Sequence, residues 1–185
     1  MNTEKGKLTY TTEMIKQQLS DSSRALVDLT ASMVYDEPLL LKLLIEVCWL
    51  DKDPWSNRAS RVVSVCCCRF PDLLKPYASS IINNLIALNS EGVIRNLLKI
   101  FAEVPIKLSN KNKSILLNLC FDYLSMSNAI SVKVYSMQIL CNLSDEIPAI
   151  KRELYSLIEE QLPESSPGFK SRGEKIMKKL MKGSL

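Results

Sequence analysis

The stretch "DPWSNRASRVVSVCCCRFPDLLKPYASSIINNL", residues 53–85, contains two helical patterns separated by a break. In the second pattern, apolar residues recur every three or four positions, which places them on one face of a helix. This stripe consists of Leu74, Tyr77, Ala78, Ile81, Ile82, Leu85 and, just beyond the stretch, Ile86. Pro71 lies between the two patterns, and proline fits the first turn of a helix. The stretch therefore predicts two helices joined by a short turn.

The same alternation of apolar stripes and helix breaks extends along the whole chain of 185 residues. Only 5 glycines and 6% aromatic residues argue against a sheet-rich fold, which needs many turns and β-forming residues. Short connections favour antiparallel packing of neighbouring helices. Because every predicted element is a helix, the predicted fold class is all-α. The predicted helices lie near residues 11–19, 22–35, 37–50, 55–69, 72–88, 91–103, 109–125, 129–143, 147–161 and 167–181.

A basic residue occurs early in every second predicted helix, at steps of 34, 37, 38 and 39 residues: Arg24, Arg58, Arg95, Lys133 and Arg172. With this spacing, residues 53–85 resemble one unit of the HEAT and armadillo-like repeat proteins. The stretch "ISVKVYSMQILCNLSDEIPAIKRELYSLIEEQL", residues 130–162, resembles another. The resemblance implies a right-handed α-α superhelix, a solenoid of about four to five helical hairpins, in which stacking covers the apolar faces of each hairpin.

On this interpretation residues 1–185 form a single domain. Residues 1–20 would be an N-terminal cap, residues 21–162 the helical repeats, and residues 163–185 a basic C-terminal capping helix. The net charge of +4 comes from this last segment, because residues 167–185 contain six basic residues and one acidic residue. The rest of the chain is nearly neutral, with 18 basic and 19 acidic residues.

Three consecutive cysteines, Cys66, Cys67 and Cys68, raise the question of a metal or redox site. Adjacent residues on a helix point about 100° apart, so the three thiols cannot close on one ion. The chain has no histidine and no CxxC motif, which zinc sites commonly use. Cysteine also packs as a small apolar residue. We expect these cysteines to fill the core where helices approach closely, with no metal site.

The basic residues form the first candidate binding site. If the hairpins stack, the repeated cations would lie along one ridge, reinforced by two further basic residues. The full set is Arg24, Arg58, Arg61, Arg95, Lys99, Lys133 and Arg172. They either bond helix ends and carboxylates of the next hairpin, a structural role, or line a cationic groove for phosphate or an acidic peptide.

Two other features are candidates. The tail "FKSRGEKIMKKLMKGSL" places Phe169, Ile176, Met177, Leu180 and Met181 on one face, with lysines opposite. This pattern is typical of a capping helix, or of a helix that contacts nucleic acid or an anionic membrane. Trp49 and Trp55 flank a turn that contains Asp51 and Asp53. The tryptophans either anchor packing, or a tryptophan and a carboxylate beside a basic groove form a site similar to that of the HEAT-like alkylpurine DNA glycosylases. No catalytic residue can be transferred from those enzymes.

An enzyme is disfavoured, because the chain has neither histidine nor a glycine-rich phosphate loop. We predict a non-enzymatic scaffold for protein–protein interaction, without catalytic residues, cofactor or small-molecule substrate. The alternative is a nucleic-acid-binding module related to the HEAT-like DNA glycosylases. The start of the chain lacks a signal-peptide pattern, and residues 38–50 are too short to span a bilayer. We therefore expect a cytoplasmic protein without membrane insertion.

Overall fold

The structure, a computed structural model, describes residues 11–182. Its helices are α1 (Thr12–Gln18), α2 (Arg24–Asp36), α3 (Leu39–Trp49), α4 (Trp55–Arg69), α5 (Ala78–Leu85), α6 (Glu91–Glu103), α7 (Asn110–Met126), α8 (Ile130–Leu143), α9 (Lys151–Gln161) and α10 (Pro167–Lys182). Short 3₁₀ helices, Pro71–Leu74 and Pro148–Ile150, precede α5 and α9. These residues contain no strand, and the all-α class is confirmed. No helix among them has the length and apolar content needed to cross a bilayer.

Small polar residues start several of the helices. The side chains of Thr11, Ser23 and Ser109 each accept a hydrogen bond from the backbone N–H three residues ahead, at 3.2–3.3 Å. The first N–H groups of a helix have no hydrogen-bond acceptor within the helix. These side chains provide the acceptor that water would otherwise have to provide. The predicted helix starts therefore have a local cause.

One predicted helix is shorter than expected. The sequence pattern predicts a helix over residues 72–88, whereas the structure has a 3₁₀ helix at Pro71–Leu74 and then α5. Pro76 lies between the two, and proline has no N–H to donate and clashes with the preceding turn. The chain can resume a regular helix only after this residue. Ile86, which the apolar stripe includes, lies at the end of α5 and is exposed.

The helices form two layers. The even-numbered helices contact one another in order from α2 to α10 and form the first layer. In the second layer, α1 contacts α3 and α5 contacts α7. The most extensive contacts between layers are those of α3 with α4 and of α7 with α8. Each interior helix of the first layer therefore packs between two equivalent helices, the arrangement of a repeat solenoid.

The core runs along the interface between the layers. Helices α4, α6 and α8 each bury about half of their residues. Five of the six cysteines are buried in this core, as predicted; Cys68 is half-buried and contacts Glu103, with a distance of 3.6 Å from its Sγ to the carboxylate. No group of histidine, cysteine, aspartate or glutamate side chains within residues 11–182 has the arrangement of a metal site.

Hydrogen bonds between successive hairpins repeat at the spacing of the sequence repeat. The Tyr123 hydroxyl donates to the Leu85 carbonyl at 3.1 Å, 38 residues away. The Asp51 carboxylate accepts from the backbone N–H groups of Asn89 and Ser90 at 2.7 and 3.1 Å. Asp51 has a φ of 49°, a left-handed conformation that aspartate tolerates better than most residues. These bonds fix each hairpin relative to the next.

Candidate binding cleft

Three of the predicted arginines line one cleft in the first layer. The cleft has a volume of about 380 Å³. It lies between the loop before α2 and the first turns of α4 and α6, and its lining residues are Ser22, Asp53, Pro54, Asn57, Arg58, Arg61 and Arg95. The arginine side chains come from α4 and α6, and Arg58 and Arg95 are 37 residues apart along the chain. Stacking of the hairpins therefore creates a site that no single hairpin contains.

Arg58 is held by backbone carbonyls at the end of α1. Its Nη1 donates to the carbonyl oxygens of Leu19 and Ser20 at 2.8 and 2.6 Å. Terminal carbonyls of a helix lack partners within it, so this contact caps α1 and fixes the guanidinium. The Nε and Nη2 groups of Arg58 make no hydrogen bond within residues 11–182. That edge of the guanidinium can bind two oxygens of one anion.

Arg61 and Arg95 are fixed in a similar way by neutral partners. The Nη1 of Arg61 donates to the Ser22 carbonyl at 2.7 Å, which leaves its Nε and Nη2 edge unbonded among the described residues. Arg95 donates through Nε and Nη2 to the side-chain oxygen of Asn96, at 3.3 and 3.1 Å. The buried Asn96 amide in turn donates to the Ser60 hydroxyl at 2.9 Å. Buried hydrogen bonds between α4 and α6 thus position a half-buried cation.

The cleft has an excess of positive charge. None of its three arginines forms an ion pair within residues 11–182, and Asp53 is the acidic residue in its lining. Asp21 lies nearby, and its pKa is lowered chiefly by a hydrogen bond from the Ser23 N–H and to a smaller extent by the charge of Arg58. The lining of the cleft therefore carries two net positive charges, a field that attracts anions.

The other four predicted cations have separate partners and lie outside this cleft. Arg24 bonds Asp28 in its own helix at 2.7 Å, and this bond is the main cause of the lowered pKa of Asp28. The remaining three contacts are Lys99 with Glu103 at 3.9 Å, Lys133 with the Gln161 side chain at 2.5 Å, and Arg172 with the Gln138 side chain at 2.8 Å. Two of these contacts lie within one helix and the other two reach glutamine side chains, so they are neither bonds to helix ends nor ion pairs with carboxylates of the next hairpin.

Helix α10 packs on α8 and α9 through one apolar face. Phe169, Ile176, Met177 and Leu180 are buried, as predicted. Met181 is 52% exposed, so its assignment to this face was wrong. The helix turns about 100° per residue, which carries Met181 past the contact after Leu180. Lys179 bonds Asp145 at 2.8 Å, whereas the side chains of three further lysines are exposed: Lys175, Lys178 and Lys182.

The two tryptophans have different environments. Trp49 is half-buried against the core, as a packing anchor would be. Trp55 is 39% exposed, and the ammonium of Lys16 lies 5.7 Å from the centre of its ring. Such a cation–π contact joins α1 to the first turn of α4. Neither tryptophan lines the arginine cleft.

Sequence reasoning missed the amides that organise the cleft. The Asn96 amide approaches the backbone carbonyl of Asn57 at 3.4 Å, from a position 39 residues away. A signal was present, because each asparagine adjoins an arginine, in "NR" at residues 57–58 and in "RN" at residues 95–96. An asparagine that recurs beside the repeated arginine indicates a shared polar contact between hairpins.

Comparisons with known proteins identify the repeat class. The family model of the HEAT repeat domain matches residues 13–180 of the chain. The match begins within α1 and ends within α10, so it spans the stacked helices described above. The comparisons with curated proteins and with solved structures give no match. The chain belongs to the HEAT repeat domain family.

Proposed function

We propose that this protein is a non-enzymatic protein-binding module whose arginine cleft receives an acidic segment of a partner. The observation that carries the proposal is the convergence of Arg58, Arg61 and Arg95 on one cleft without an ion pair among the described residues. Two of these guanidinium groups keep free the edge that binds a carboxylate through two parallel hydrogen bonds. HEAT repeats commonly mediate protein interactions, which makes a protein segment the favoured occupant.

Pre-organisation supports a binding role for the cleft. The contacts to Leu19, Ser20 and Ser22 hold two long side chains in place before a ligand arrives. A ligand then loses less affinity to the ordering of flexible arginines. The proposal places the protein in a reducing compartment such as the cytoplasm, where its free cysteines remain thiols.

The test is the binding of a short fluorescein-labelled peptide rich in glutamate and aspartate, measured by fluorescence anisotropy. We expect Arg61→Gln/Arg95→Gln to weaken binding by about tenfold or more, because each charged hydrogen bond contributes roughly 1.5–3 kcal/mol. These two positions are chosen because Arg58 also caps α1. The matched control is Arg172→Gln/Lys178→Gln, which removes the same charge from α10, away from the cleft.

The control decides between a site and general attraction. Binding that the control variant retains and the cleft variant loses supports the proposal. Equal weakening by both variants would show that the peptide responds only to net charge. That result would remove the cleft as a binding site.

A second candidate function is nucleic-acid binding, favoured by the exposed lysines of α10. Lys175, Lys178 and Lys182 recur at helical spacing on one side of the helix, and the described residues form no ion pair with them. Three phosphate contacts predict that the logarithm of affinity falls by about 2.7 per tenfold rise in salt. A titration of duplex DNA and RNA at low and moderate salt would measure this slope. Binding that survives Arg61→Gln/Arg95→Gln but is lost with the three lysines would favour this candidate.

A further inference from the structure

Two large apolar side chains at neighbouring turns of the solenoid remain in water. Ile86, at the end of α5, and Met126, the last residue of α7, are each 73% exposed. Both line one open groove of about 350 Å³. A lone exposed apolar residue is ordinary on a protein surface, whereas a shared apolar groove indicates an interaction site.

The groove is lined in part by buried residues, and a hydrogen bond joins the two helices beside it. Leu88, Ile94 and Leu119 line it and are almost completely buried in the core, so their positions are fixed. Tyr123 also lines the groove, and its hydroxyl donates a hydrogen bond to the Leu85 carbonyl at 3.1 Å. This bond joins α7 to the end of α5, the two helices that supply Met126 and Ile86. The groove therefore exists before any partner binds.

The charged residues of the groove are acidic. Glu91 and Asp122 line it and are both exposed. Neither carboxylate forms an ion pair within residues 11–182. Arg95 lies one turn from Glu91 on α6 but lines the arginine cleft and bonds Asn96. An occupant that covers the apolar residues will therefore meet two unpaired negative charges.

We propose that this groove binds an amphipathic helix of a partner protein, with apolar residues on one face and lysine or arginine beside them. Apolar side chains three or four residues apart on such a helix would cover Ile86 and Met126, while its basic residues would pair with Glu91 and Asp122. This site shares no residue with the arginine cleft and selects the opposite charge. It therefore goes beyond the proposed function and does not depend on it.

The test is selection from a display library of randomised, helix-forming peptides against the full chain. Selected peptides are then titrated into protein that carries isotope-labelled isoleucine and methionine methyl groups. We expect the selection to enrich peptides with an apolar stripe and flanking basic residues. Their addition should shift the methyl signals of Ile86 and Met126.

Two pairs of variants separate the apolar and the charged contributions. Ile86→Ser/Met126→Ser should weaken the selected peptides by about tenfold or more, because burial of the two side chains is lost. Glu91→Gln/Asp122→Asn should weaken them severalfold and reduce the salt dependence of binding. The matched control is Leu29→Ser/Leu39→Ser, which changes two apolar residues that are 59% and 51% exposed and lie outside the groove. This control should leave binding unchanged.

Three results would overturn the proposal. The first is a selection without a basic, amphipathic consensus. The second is binding that leaves the Ile86 and Met126 methyl signals unmoved. The third is a shift of those signals with protein concentration alone, which would assign the groove to a second copy of this chain. Helical circular dichroism and a cooperative thermal unfolding transition like those of the unaltered protein would show that each groove variant is folded.

Discussion

At the scale of single residues, burial keeps the cysteine thiols neutral. Desolvation raises the pKa of Cys66 to about 11 and raises the pKa values of Cys48, Cys67 and Cys120 still further. A thiol with a raised pKa is a poor nucleophile at neutral pH, because the thiolate is the reactive form. The row of three cysteines therefore serves packing, and the nearly complete burial of Cys66 and Cys67 agrees with that role.

The same pKa shifts predict a loss of stability in alkali. A thiol in the unfolded chain ionises near pH 8.5, whereas the buried thiol keeps its proton, so stability is present below that pH and falls above it. We expect the free energy of unfolding to fall between pH 9 and 11, by about 1.4 kcal/mol per pH unit for each thiol that remains protonated in the folded state. Urea denaturation at several pH values measures this slope.

Cys120→Ala provides the control for this prediction, since tyrosine and lysine also titrate in alkali. The variant should show a shallower decline in stability above pH 9, because it removes one buried thiol. An unchanged slope would mean that Cys120 does not contribute to the loss.

At the scale of secondary-structure elements, two glycines of α10 make a matched pair. A methyl group on Gly173 would lie 2.8 Å from the Cγ2 of Ile158 in α9, whereas one on Gly168 would meet nothing within 4 Å. Gly173→Ala should therefore force α9 and α10 apart and lower the free energy of unfolding by about 1–2 kcal/mol, despite the gain in helix propensity. Gly168→Ala should raise it by up to about 1 kcal/mol.

Thermal and chemical denaturation of both glycine variants would check this prediction. If Gly173→Ala stabilised the protein as much as Gly168→Ala, α10 would not pack closely on α9. The assignment of α10 as a capping helix, which remains a proposal, would then lose its support.

Most of the helices could be predicted from local sequence. Apolar spacing and breaks such as "DKDP" at residues 51–54 predict the existence and order of the ten helices within residues 11–182, because these signals act within one or two turns. The failures have local causes as well. Pro76 shortens α5, and Met181 lies beyond the contact that buries Leu180.

At the scale of the whole molecule, the repeat spacing of the basic residues identifies the helices of the first layer. It does not determine the direction in which each basic side chain points. Arg58 is the fourth residue of α4, Arg95 the fifth of α6 and Arg172 the sixth of α10. Each one-residue offset rotates a side chain by about 100°, so a ladder in the sequence need not form a ridge in space. Arg58 and Arg95 line one cleft, and Arg172 instead contacts Gln138. Which cations converge thus depends on the stacking of hairpins, which no local pattern determines.

The most direct test of this account is an NMR titration that follows the arginine Nε–H signals while the acidic peptide is added to the full chain. We expect the signals of Arg58 and Arg61 to shift together, because their Nε and Nη2 edges are free within the described structure. The signal of Arg172 should remain in place. Peptide binding that moves the signal of Arg172 and leaves those of Arg58 and Arg61 unchanged would show that the acidic peptide binds elsewhere and that the arginine cleft is not an anion-binding site.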